Sequence, residues 1–395
     1  MKEEIVTIKM TRREMLQAGL TAATLATLGL PESMMPAVLQ GETAVPFTDI
    51  PANMNFTVDP NAPNRFLDIR TIDGPYTPKE KFFATQHHGQ PEVDPATFRL
   101  KVDGTVNKTL ELTMDEIRKR PSVQVPVGFE CSGNSRGRLQ GLESAGLWTG
   151  TRLKDLLNAA GVKSEGKEVV FFGVDHGEID VPFRGQTYKV DQHFGRSITI
   201  ENAMKPEPIL AYAMNGDPLT KHQGFPLRLI MPGWYGVANV KWLTQIHVQE
   251  TRFVGHYQAR WYLTLRSEMV GGQEVWKETE ISRMRPKSVI SRVVKSGNHH
   301  VVHGFALNDG SPLKSVEVKI DEGSWAPATM DKSNTQFGWK LFTYVWEGAT
   351  PGEHTLVSKA TDANGAVQPT QAELTATKKT FLEDNSQFPR KVMIS

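Results

Sequence analysis

The sequence predicts an α+β architecture: a mixed domain of short strands and helices, followed by an antiparallel β-sandwich. Three observations carry this. Over residues 206–248, short apolar runs alternate with Gly and Pro, and the long crossover helices of a doubly wound parallel sheet are missing. From Pro286 onward the texture changes to brief alternating runs separated by turn residues, which is sandwich spacing. The length, 395 residues, suits about two or three domains with separate cores.

Composition narrows the class. Hydrophobic residues make up 39% and charged residues 23% of the chain, as in an ordinary soluble globular protein. With 45 basic against 44 acidic residues the formal charge is +1. Nothing steers the whole chain toward nucleic acid or a membrane surface, although a local cationic pocket is compatible with this balance. No stretch approaches the roughly 20 apolar residues of a membrane span.

In chain order, Thr11-Arg12-Arg13-Glu14-Met15-Leu16 precedes a mild apolar run at residues 18–30. A basic pair before such a run fits a twin-arginine export signal, the plainer alternative being a short buried helix. Export would place the protein in the periplasm or its equivalent; no clean Ala-x-Ala cleavage site stands before Pro46. Residues 46–79, rich in Pro, Asn and Asp, are expected to form an irregular arm. Residues 98–102 alternate like a strand. Thr113-Met114-Asp115-Glu116 is a capping box opening a short helix that must stop by Pro121. Residues 123–129 are expected to be a strand delivering Cys131 to a loop. Thr151 can cap a helix whose apolar face is Leu153, Leu156, Leu157 and Ala160, ended by Gly161. Residues 169–172 form a buried strand, with Asp175-His176-Gly177 as a loop after it. Strands are expected at 289–294, 301–307, 316–320, 339–346 and 354–360, which gives a sandwich of about 90 to 100 residues. The expected division is therefore 1–45 signal and linker, 46–285 catalytic domain, 286–380 sandwich and 381–395 tail.

The candidate chemistry centres on Phe129-Glu130-Cys131-Ser132-Gly133-Asn134-Ser135-Arg136-Gly137. Cys131 is the only cysteine, so it makes no disulfide within the chain. It is an inert buried thiol, a nucleophile or a soft-metal ligand. Gly133 and Gly137 permit close approach of backbone, and Arg136 favours the thiolate. A single cysteine also excludes the Cys-x-x-Cys-His attachment of a c-type haem, and no b5-like His-Pro-Gly-Gly stretch occurs. Other features are weaker. His299-His300-x-x-His303 falls on a β-like run without a zinc-type glutamate, and surface histidines are the expectation. Gly133, Gly137 and Gly141 match neither phosphate-loop pattern. Arg136, Arg228 and Lys241 can bind anions, yet each alone is ordinarily solvated or salt-bridged. Trp234 and Trp242 are expected in the core.

Five blocks in uninterrupted order change this balance: Glu130-Cys131-Ser132-Gly133-Asn134, Ala211-Tyr212-Ala213-Met214-Asn215-Gly216-Asp217-Pro218-Leu219, Gly224-Phe225-Pro226-Leu227-Arg228, Val240-Lys241-Trp242-Leu243 and Pro286-Lys287-Ser288-Val289-Ile290. Together the chain resembles the sulfite oxidase family of molybdopterin enzymes over about residues 80–370. The resemblance implies a sulfite-oxidase-type molybdopterin-binding domain followed by an Ig-like β-sandwich that dimerises. It implies a molybdenum-molybdopterin cofactor (a molybdenum ion held by a pyranopterin dithiolene), with Cys131 as metal ligand. Cofactor contacts are implied for Phe83, Thr85, Gln86, His87, Asp175, Gln223, Arg228 and Lys241, an anion-holding role for Arg136, and the active-site tyrosine for Tyr262, which follows His256-Tyr257-Gln258. The chain departs from the family at two places. Thr85 stands where animal enzymes carry an arginine, and Gln223 precedes Gly-Phe-Pro in place of histidine, with His222 beside it. Arg138, His87 or His88 can compensate for the missing cation.

The implied activity is oxidation of sulfite, or a related reduced sulfur oxyanion, by oxygen-atom transfer. Electrons would pass to a separate c-type cytochrome. An alternative within the family is the sulfane dehydrogenase catalytic subunit of a thiosulfate-oxidising system, and one outside it is a metal-free exported binding protein.

Overall fold

The computed structural model describes residues 41–50 and 62–395. The twin-arginine stretch and the apolar run after it lie outside the described residues. Among those described, strands dominate and helices are few; the longest is the eight-residue Leu153–Ala160. The helical share of the expected α+β class is therefore small, and the fold is mostly β-sheet. Gly and Pro recur too closely for helical propagation, which needs several uninterrupted turns. The capping box does form: Thr113 Oγ1 accepts from Glu116 N at 3.2 Å, and the Glu116 carboxylate accepts from Thr113 N at 2.8 Å. Its helix, Met114–Arg118, is five residues long.

The first part of the chain builds two five-stranded sheets. One runs in the order Leu110–Leu112, Leu100–Gly104, Leu243–Gln249, Glu168–Phe183, Gln186–Thr199. The other runs Arg228–Ile230, Ile209–Met214, Glu143–Arg152, Ser122–Glu130, with Asp217–Pro218 paired to Ile209–Met214. Alternate residues of the first sheet, Leu100, Val102, Val169, Phe171, Ile246 and Val248, share a core with the apolar face of Leu153–Ala160. That helix ends at Gly161 with φ of 67°, as its sequence predicts. Its cap is not Thr151. The strand Glu143–Arg152 runs directly into the helix, and Arg152 takes the cap position with no side-chain bond. Thr151 is a buried strand residue opposite Leu210, its hydroxyl without a partner.

A second correction concerns Asp175-His176-Gly177. These residues are not a loop: the strand continues through them to Phe183 and pairs with Gln186–Thr199. The register shifts between Phe172 and His176, and this bulge turns Asp175 inward. Beyond it, residues 176–193 form a two-stranded ribbon with no third strand among the described residues.

The later residues, with Glu42–Val45 from the start of the described chain, form two facing sheets. One has the order Glu42–Val45, Lys287–Ser296, His299–Leu307, Lys340–Trp346, Thr329–Met330; the other has Ala326–Pro327, Leu313–Ile320, Gly352–Asp362, Arg390–Ile394. Val293, Val302, Phe342, Val318, Leu356 and Val392 fill the space between them. The three histidines expected at the surface sit on His299–Leu307, and His300 is buried. Burial pushes His303 down to about 3, beside the Arg292 cation. Among the described residues no group of three or more metal-ligating side chains is placed to hold an ion. No described helix is long and apolar enough to cross a membrane.

Candidate active site

The cysteine is delivered as its flanking sequence predicts. Strand Ser122–Glu130 pairs with Glu143–Arg152 along its whole length, Glu130 facing Glu143, and Cys131 follows at once. Cys131 N donates to Leu142 O at 2.9 Å, and Asn134 N donates to Cys131 O at 2.9 Å. Asn134 Oδ1 accepts from Leu142 N at 3.1 Å, which closes the turn. Both peptide groups of the cysteine are therefore committed, and only its side chain is left to act.

Cys131 opens into a cleft of about 660 Å³, its open mouth included. Phe83, Thr85, Gln86, His87, Asp175, Arg228, Lys241 and Tyr262 line it with the cysteine. Nine residues singled out across 180 positions of sequence thus converge on one cavity. Gln223 lies behind the wall: its amide donates to Lys79 O at 2.7 Å, and its own carbonyl accepts from Arg228 Nη1 at 3.0 Å. Arg136 is not among the lining residues. Its guanidinium donates to Gln387 O and lies 5.8 Å from the Phe388 ring centroid, drawn to the C-terminal segment. The cation that lowers the Cys131 thiol is Arg138, not Arg136; burial and the Glu130 charge nonetheless push the thiol up overall.

The electrostatics are those of a site short of partners. Arg228 is 4% exposed and makes no ion pair among the described residues; burial brings it down to about 9, still charged at neutral pH. Lys241 is lowered to about 7 by burial and by Arg228, with Asp175 opposing. Among the described residues its ammonium has only neutral acceptors, Thr85 O and Gln86 Oε1 at 3.2 Å and His222 O at 3.3 Å. Burial raises the Asp175 carboxyl to about 6. At the mouth, His87 Nε2 lies 2.8 Å from Tyr262 Oη, and the His87 ring stacks on Tyr257 at 4.7 Å. Desolvation in that packing lowers His87 to about 4, although part of its surface still faces the opening. Burial raises the Tyr262 phenol. Both groups are neutral at pH 7.

Asp175 Oδ1, Arg228 Nε and Trp242 Nε1 belong to cleft residues, are buried and have no partner. Buried polar atoms are rarely left so, and three around one cavity call for a ligand with donors and acceptors of its own. A pyranopterin fits: ring N–H groups for Asp175, an anionic phosphate for Arg228 and Lys241, and a soft metal for the sulfur.

Several contributors were not given a place in the cleft from sequence. Phe194, His222, Asn239 and Trp242 also line the cleft. Trp242 reads as core from its apolar flanks; only its place beside Lys241 hinted otherwise.

Comparison with known proteins agrees with this site. Residues 87–257 match the oxidoreductase molybdopterin binding domain. The mitochondrial sulfite oxidase of Drosophila melanogaster is 31% identical over 332 residues, 75% of this chain and 56% of that protein. The NADH nitrate reductase of Ulva prolifera is 31% identical over 310 residues, 70% of this chain and 35% of that protein. The chain thus spans less than two thirds of the length of either. Among solved structures, the sulfane dehydrogenase SoxCD from Paracoccus pantotrophus superposes with a TM-score of 0.69 at 25% identity, covering 84% of this chain and 86% of that one. The cavity is that of a molybdopterin oxidoreductase. The chain belongs to the sulfite oxidase family, its cofactor is molybdenum-molybdopterin, and the metal-free binding protein considered above is set aside.

Proposed function

We propose that the protein is an exported molybdenum enzyme that oxidises sulfite or a related reduced sulfur compound. The observation that carries this is Cys131 opening into the same cleft as Arg228, Lys241 and the Tyr262–His87 pair. When bound, the cofactor supplies a two-electron centre for oxygen-atom transfer to sulfur. Cys131 anchors the metal and tunes it by sulfur donation. Arg228 and Lys241 hold the cofactor's anionic end, and Asp175 accepts from its ring. Tyr262, oriented by His87, directs a hydroxyl at the incoming oxyanion. In this reading the electrons pass to a c-type cytochrome. The twin-arginine stretch supports a periplasmic location, and the two facing sheets suit an Ig-like sandwich pairing two copies of the chain.

A second reading, oxidation of a sulfane sulfur carried on a partner's cysteine, has its own support. Thr85 brings no cation, Arg136 is turned toward Gln387, and the similar solved structure is a sulfane dehydrogenase. A pocket poor in cations beside the sulfur suits a substrate whose charge lies elsewhere.

Metal analysis of matured protein tests the first level: molybdenum in near-equimolar amount is expected, and its absence refutes the reading. Cys131→Ser is expected to keep the fold and abolish turnover; retained turnover removes the ligand role. Initial rates with sulfite, and with a thiosulfonated carrier protein, separate the two substrates.

A further inference from the structure

Next to Cys131 lies a sealed polar cluster that the chemistry above does not use. Glu130 is 4% exposed, and Gln140, Glu143 and Lys287 are each 1% exposed. None of the four lines the cleft. The Lys287 ammonium donates to the Glu130 carboxylate and to Gln140 Oε1 at 2.7 Å. Glu143 faces Glu130 across the paired strands, and one of its oxygens has no partner. Burial pushes the Glu143 carboxyl well above the usual range, so it adds little charge to the cluster.

The origin of the lysine is the informative point. Lys287 opens strand Lys287–Ser296 of the facing-sheet unit, 157 positions from Glu130. The same unit grips the cysteine strand a second time, where Gly128 N donates to Phe337 O at 2.8 Å. A side chain at 128 would not fit, since its Cβ would stand 2.9 Å from Leu307 Cδ2 and 3.1 Å from Trp339 N. As a source of stability the ion pair is a poor choice, because apolar residues of similar volume commonly do as well or better. What such a pair does well is hold geometry through a charge-assisted bond, and here the held residue immediately precedes the cysteine.

We propose that Lys287 is a positioning residue for the Cys131 sulfur, by which the facing-sheet unit sets the orientation of the metal ligand through Glu130. This rests on Cys131 being that ligand. Partners one shell beyond a ligand commonly orient it and tune the metal.

The test uses purified holoenzyme and the double variant Lys287→Met/Glu130→Gln, which removes both charges together and leaves neither unpaired. The expected result is a thermal midpoint and molybdenum content like the unaltered enzyme's. The sulfur-to-metal charge-transfer band and the paramagnetic spectrum of the one-electron-reduced metal shift, and kcat falls by about tenfold with KM little changed. Unchanged spectra and kcat in a folded, loaded double variant overturn the proposal while leaving the enzyme reading intact. If the unaltered, matured protein holds no molybdenum, the enzyme reading itself fails and the inference fails with it. Gln140→Met, which removes one of the two hydrogen bonds of the ammonium, guards against a misfolded double variant. It is expected to shift the same spectra by less, and identical spectra again overturn the proposal.

Discussion

Asp175 and Lys241 are charged groups held in a cavity shaped for something else, and without a cofactor their burial is a net loss. The Asp175 carboxyl moves from 3.8 to about 6 on folding. In that window the unfolded chain has released its proton while the folded chain has not. The stability present below pH 3.8 is therefore lost as the pH rises to 6, by about 3 kcal/mol. Lys241 moves from 10.5 to about 7, so the unfolded chain holds more protons between those values and stability is regained as the pH rises through them. Cofactor-free protein should show a stability minimum between about pH 6 and 7 that Asp175→Asn/Lys241→Met lacks. Urea midpoints from pH 4 to 9 check this; parallel curves for the two proteins contradict it. The variant should also retain less pterin. Thr151 supplies a contrasting case. Its hydroxyl is buried and unpartnered, so Thr151→Val should be neutral or stabilising by at most about 1 kcal/mol in the same assay. A helix-capping role would instead make the change destabilising.

At the scale of elements, the strand bearing the cysteine and the strands after Pro286 were legible because alternation and turn residues are local signals. The inward turn of Asp175 was not. It depends on a bulge in a strand whose far half has one neighbour among the described residues, and nothing in Asp175-His176-Gly177 distinguishes that from a loop. Arg136 shows the same limit: its spacing from Cys131 is visible in sequence, but the competing carbonyl of Gln387 lies 251 positions away. Lys287 was within a recognised block, yet a lysine opening a strand is solvated by default. The ribbon beyond Asp175 has a consequence for dynamics. Ile179 faces Val190 and Val181 faces Tyr188 on one side, with Tyr188 and Val190 exposed, and no strand among the described residues flanks them. An isolated two-stranded pair is marginal in water. Hydrogen exchange should therefore find amides 178–190 opening well below the global free energy, and amides 168–171, flanked on both sides, among the slowest. Equal protection along the hairpin would show that something covers it.

For the whole molecule, the two ends of the described chain are tied into the facing sheets by buried polar contacts as well as apolar ones. Arg390 is fully buried, bonds Asp49 through Nε at 2.8 Å and Nη2 at 3.1 Å, and reaches Ile290 O at 3.3 Å. Its guanidinium lies 3.7 Å from the Phe47 ring centroid. Arg390→Met leaves the Asp49 carboxylate without its partner and should cost about 3 kcal/mol or more, read as a lowered denaturant midpoint. Asp49→Asn/Arg390→Met should recover much of that loss.

The edge strands of the facing sheets come from opposite ends of the described chain. Glu42–Val45 pairs with Lys287–Ser296, Arg390–Ile394 pairs with Gly352–Asp362, and Phe47 bridges to Val392. During synthesis the first of these segments must wait until Lys287–Ser296 is made, and the second sheet lacks its border until Arg390–Ile394 is complete. Long-range closure of this kind is slow, and unfinished borders invite wrong partners. A released chain truncated before Arg390 would thus present an open edge to chaperones, whereas the full-length chain would not.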